Sequence, residues 1–201
     1  MRQAAYRLHL GLYYLALGLW LGSLALFALV AMPLFYRMRL YQPQITATPP
    51  GSPPMDGPAA QIIAGDIASR SLANLATVQI IAAVAVVALV ALQCTIFRRW
   101  MARAVTSATN LVRLALLGLA LAALVVQLSV VSPRMHELRP KMYAPEASAQ
   151  QRAERRATFE WYHTYSERSQ SAVVMLLTGA VLLSPFVLTT TPAGRSEAGG
   201  R

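Results

Sequence analysis

Four apolar stretches without a single charged side chain, 8–36, 71–97, 114–133 and 169–194, occupy most of this chain. Crossing about 30 Å of hydrocarbon takes roughly 20 apolar residues at about 1.5 Å of helical rise each, so every stretch is long enough to span a bilayer. In lipid a backbone must satisfy its own polar groups, which leaves the helix as the natural form for such segments. The sequence therefore predicts an all-α integral membrane four-helix bundle, one transmembrane domain over 1–201, with spans at about 9–35, 73–97, 110–132 and 169–190.

Clustering matters more here than content. The chain is 56% hydrophobic, a value a soluble domain could carry, but its apolar residues are bunched into blocks and do not alternate with polar ones. The 18 basic and 8 acidic residues lie outside or at the margins of the four stretches, as expected when a charge at the bilayer centre is costly to insert. A formal charge of +10 would suit a nucleic-acid binder, but the arginines sit in short loops beside apolar segments. There they act as orientation signals and contacts for anionic headgroups, so the lipid bilayer is the expected partner and nucleic acid is not. The single cysteine, Cys94, allows neither an internal disulfide nor a multi-thiolate site. The first apolar run exceeds a signal-peptide core of about 7–15 residues and reads as a retained anchor.

The connections differ in character. Within 41–60 stand Pro43, Pro49, Pro50, Pro53, Pro54 and Pro58 with Gly51 and Gly57, a composition that excludes regular helix or ladder and predicts a flexible proline-rich loop. The segment 64–75 reads as a short run-in turn to the second span. From Ser148 onward the third connection lacks proline and glycine for many residues, which predicts a helical extension that begins near Ala147 and enters the fourth span unbroken. Pro185 suggests a kink or an early end to that helix. Arg98, Arg99, Arg103 and Arg113 make the second connection the tightest basic cluster. By the positive-inside tendency this loop and both termini face the cytoplasm of a bacterial inner membrane.

Candidate contacts within the bundle follow from spacing. Gly11, Gly18 and Gly22 fall on nearly one face of the first helix, where small residues let a second backbone approach, either inside the bundle or across a homo-oligomer seam. Gln79 and Gln127 lie at similar depths near the outer ends of the second and third spans and are placed to meet as interhelical glue. No carboxylate or cation at mid-depth marks an ion path.

The candidate ligands are few. Glu160, His163 and Glu167 share a helical face at i, i+3 and i+7, and His136 beside Glu137 is placed to approach from the preceding loop. Imidazole with carboxylate suits zinc, iron or copper, although the same spacing also describes a solvated, salt-bridged helix face. His9 belongs at the face opposite His163, which argues against a simple bis-histidine haem. No Ser/His/Asp order, phosphate loop or HExxH run is present, and the chain reads as non-enzymatic with no cofactor assigned.

Several of these segments resemble a family. The run LGLWLGSLALFALVAMPLFYRM, then AGDIASRSLANL, then SPRMHELR at 132–139 and FEWYHTYS at 159–166, is similar in order and spacing to the bacterial four-helix membrane domain related to eukaryotic transmembrane protein 205. Tyr162 stands where that family usually has leucine. The resemblance implies the four-span fold and brings no activity, substrate or cofactor. Its motif residues map to Trp20, Gly22, Pro33, Ala64, Gly65, Pro133, Arg139, Phe159, His163 and Ser166. The first helix is also similar to copper-resistance D-type membrane proteins, which implies metal handling as the alternative role.

Overall fold

The computed structural model describes residues 2–41, 59–96, 108–142, 144 and 146–188. They form α1 (Arg2–Tyr41), α2 (Ala59–Thr95), α3 (Ala108–Val126), a π-helical turn (Gln127–Val131), α4 (Ser132–Met142) and α5 (Ala149–Val187). Four of the described helical segments are long and apolar enough to cross a membrane, and no strand occurs among the described residues. The molecule is an all-helical, multi-pass membrane protein, as the four apolar blocks require.

Helices α1 and α2 pack along each other, α3 packs along α5, and α1 also packs on α5 to join the two pairs. The core is built from Tyr13, Leu17 and Trp20 of α1, Ala82, Ala83 and Val86 of α2, Leu117, Ala120 and Leu124 of α3, and Val173, Leu177 and Ala180 of α5. Alanines recur because lipid tails are as apolar as leucine, so these helices gain by close van der Waals approach more than by hiding from solvent. The reverse faces are equally greasy: Phe186 is 78% and Met175 69% exposed, the dress of a helix whose outer surroundings are lipid.

The structure refines the connections. The proline-rich 42–58 lies outside the described residues, while Ala59 and Ala60 at its predicted end already belong to α2. The expected short turn at 64–75 is instead part of that one continuous helix. The third span does not stop at Pro133 but passes through the π turn into α4. Proline explains the turn: Pro133 has no N–H to donate and its ring crowds the carbonyl one turn back, so the ladder shifts register and Ser132 donates to the Gln127 carbonyl, five residues earlier.

The helical extension before the fourth span is present. Helix α5 starts at Ala149 behind a capping box in which the Ser148 side chain accepts from the Gln151 N–H and the Gln151 side chain accepts from the Ser148 N–H. It runs through Pro185 and ends two residues later at Val187.

Candidate functional site

The buried residues of α3 are Asn110, Arg113, Leu117, Ala120 and Leu124, alternating steps of three and four that mark one helical face. Arg113 therefore stands on the inward stripe. Its side chain is 0% exposed, whereas the sequence placed it with the loop arginines as an orientation signal. That reading is corrected: Arg113 is an interior cation of the bundle. The spacing from Leu117 contained the signal, and loop proximity masked it.

Four helix termini meet around this residue: the start of α1, the end of α2, the start of α3 and the end of α5. Arg113 Nη1 donates to the Tyr13 hydroxyl at 3.3 Å and Nη2 donates to Gln93 Oε1 at 3.1 Å. The guanidinium carbon lies 5.5 Å from the Tyr13 ring centroid, close enough for a cation–π contribution. Tyr13 and Ser184 hydroxyls are 3.3 Å apart. Since Ser184 Oγ donates its only proton to the Ala180 carbonyl at 2.7 Å, Tyr13 is the donor in that pair. Donation thus runs one way, from Arg113 through Tyr13 and Ser184 to a backbone carbonyl. Tyr6, His9 and Asn110 are buried at the same end.

Among the described residues no carboxylate balances the charge of this layer. No acidic residue occurs before Asp56, between Asp66 and Glu137, or between Glu167 and Glu197, and no ion pair involves Arg113 among the described residues. Insertion scales put an arginine at the centre of a membrane helix at about 2.5–3.5 kcal/mol unfavourable, reduced when polar neighbours solvate it. Tyr13 and Gln93 supply part of that solvation. Arg113 Nε and Gln93 Nε2, both enclosed, have no hydrogen-bond partner among the described residues.

A second polar layer lies toward the other end. Gln127, at the head of the π turn, donates to Ser166 Oγ of α5 at 2.9 Å, and Gln170 donates to the same oxygen at 3.3 Å. The expected interhelical role of Gln127 is realised with Ser166; Gln79 is half-buried on α2, which packs along α1, and the predicted meeting of the two glutamines gives way to this bond.

The glycine expectation is likewise revised for bundle packing. Gly11, Gly18 and Gly22 are exposed, and a Cβ built on any of them would have no neighbour within 4 Å. The glycine that serves helix contact is Gly179, whose added Cβ would stand 3.1 Å from Leu116 Cδ1 across the α3–α5 seam.

The residues considered for metal are dispersed in use. His163 Nδ1 lies 3.3 Å from Glu167, Glu160 pairs with Arg156 at 3.5 Å, and Glu137 beside the exposed His136 pairs with Arg134 and Lys141 at 3.2 and 2.6 Å. No group of three histidine, cysteine or acidic side chains able to hold a metal occurs among the described residues. Each pair follows the i,i+3 or i,i+4 pattern of a solvated helix face.

Of the family-type positions, Trp20 and Ser166 are buried in the bundle, Gly22 faces outward, and Phe159 lies against His163 with ring centroids 6.0 Å apart. Pro33 lies within α1, Ala64 and Gly65 within α2, and Pro133 and Arg139 within α4. No family model matches the chain, nor does any curated protein or solved structure. The site is accordingly defined by its own geometry: a cationic layer, with no carboxylate paired to it among the described residues, that links α1, α2, α3 and α5 of a multi-pass membrane protein.

Proposed function

We propose that this chain is a non-enzymatic, four-span component of a bacterial inner membrane with a structural or transport-associated role, akin to the transmembrane-protein-205-like proteins whose motifs it resembles. The observation that carries this reading is the use made of the buried polar side chains. Arg113, Tyr13, Gln93 and Ser184 link α1, α2, α3 and α5, and Gln127 with Ser166 links the π turn to α5. These groups hold helices in register, and none is arranged as a nucleophile beside a base. The basic second connection supports cytoplasmic termini.

Reconstitution tests the proposal. Vesicles carrying the purified protein should hold an imposed ion gradient as long as empty vesicles do. Rapid flux, or turnover of an added substrate, that disappears on changing one side chain would overturn the passive role. Labelling of single cysteines placed in 98–107 should occur only from the cytoplasmic side; outside-only labelling would overturn the orientation.

A further inference from the structure

We infer that the Arg113 layer is a binding site for an oxyanion of the phosphate class, presented either by an anionic lipid headgroup or by a free phosphate. The inference rests on the membrane-spanning reading and is independent of whether the protein is passive.

The first support is the charge. A guanidinium cannot shed its proton in a protein, so burying Arg113 cannot be relieved by neutralisation. Its two bonded partners, Gln93 Oε1 and the Tyr13 hydroxyl, are neutral oxygens. The enclosed layer therefore carries a full positive charge that no described carboxylate offsets.

The second support is the direction of the hydrogen bonds. Tyr13 gives its proton to Ser184, and Ser184 gives its own to the Ala180 carbonyl, so both hydroxyls have used their donors and both are already accepting. Arg113 Nε and Gln93 Nε2, on side chains that are each 0% exposed, are donors that meet no acceptor among the described residues. They belong to residues already joined at 3.1 Å through Nη2 and Oε1. A cation is repelled there. An oxyanion meets both needs, taking a charge-assisted bond from the guanidinium edge and a second from the amide.

The third support is location. Arg113 is the sixth residue of α3, near the helix end whose dipole favours negative charge. In the sequence Arg2 and Arg7 precede Tyr13, Arg98, Arg99 and Arg103 precede Arg113, and no acidic residue occurs in 1–55 or 67–136. Such a one-signed field concentrates anions, whether headgroups of the adjoining leaflet or solutes.

The test uses the full-length protein and thermal unfolding. One arm compares nanodiscs of phosphatidylcholine alone with nanodiscs containing phosphatidylglycerol; the other adds inorganic phosphate against chloride at equal ionic strength. At about a hundred times the dissociation constant the bound ligand should raise Tm by roughly 5–10 °C. A rise only with phosphatidylglycerol assigns a lipid headgroup, and a rise with phosphate assigns a soluble anion. Arg113→Gln should abolish the rise. Because that variant removes the link between helices and can fail to fold, Gln93→Glu provides the second measurement: it sets a carboxylate against Arg113, and is expected to match or exceed the wild-type Tm without added anion while losing the response. Absence of any shift in the wild type, or a full response retained in Gln93→Glu, overturns the site. A protein that stayed dissolved without detergent would instead overturn the membrane reading beneath it.

Discussion

The two polar layers of the bundle solve the same problem by different means. Near one end Gln127, Ser166 and Gln170 form a neutral knot between the π turn and α5; near the other Tyr13, Gln93, Arg113 and Ser184 tie together four helices around a cation. Surplus bonding capacity is also opposite in kind. The neutral layer leaves an acceptor, Gln127 Oε1, without a partner, and the cationic layer leaves donors. A neutral layer can only hold helices in register, whereas a charged one also attracts.

If that contrast is right, changes in the cationic layer should be the more costly. Gln93→Leu removes the acceptor of a buried guanidinium and should lower unfolding stability by about 1.5–3 kcal/mol, the range for hydrogen bonds to charged groups; denaturation of the purified protein in detergent would measure it, and a loss no larger than that of Ser166→Ala would dissolve the distinction. Gly179→Leu at the α3–α5 seam should cost about 1–3 kcal/mol through overpacking against Leu116. Ser166→Ala takes the shared oxygen from the neutral layer, with an expected loss of about 0.6–1.7 kcal/mol, the span measured for interhelical bonds in membranes.

The smallest effects belong to the outer surface. Gly18→Leu with Gly22→Leu should leave the melting temperature unchanged, since nothing lies within 4 Å of either added Cβ, and native gels or light scattering of the same protein would show whether that face serves a second copy. His163→Ala should leave the metal content of the purified protein unchanged by elemental analysis, because Glu167 is the partner its ring meets and no third ligand joins them among the described residues. Stoichiometric metal lost in that variant would restore the metal-handling alternative.

Legibility in the sequence followed the strength of the physical demand. The α5 extension was readable from Ser148 onward because an uninterrupted run of helix formers without proline or glycine leaves helix as the consistent local choice, and the structure adds the Ser148–Gln151 capping box at its start. The π turn was not, since a proline announces a disturbed ladder without saying whether the helix ends or shifts register. Gly11, Gly18 and Gly22 were expected on one face and are all exposed, because helical periodicity cannot tell which face meets a neighbour when every face is apolar. Arg113 was misjudged for a related reason. A cation six residues into a helix reads as a boundary marker, and only Tyr13 and Gln93, distant in sequence, make its interior position tenable.

Apolar length by itself determined the number of crossings, the helical class and the exclusion of a soluble fold, because hydrocarbon makes that demand locally and of each segment separately. Which side chains face one another, that Gln127 meets Ser166 and that Arg113 stands inside with donors to spare, was decided only by the tertiary structure. Such pairings depend on the rotation of each helix about its own axis, and that rotation is set by all the neighbours at once.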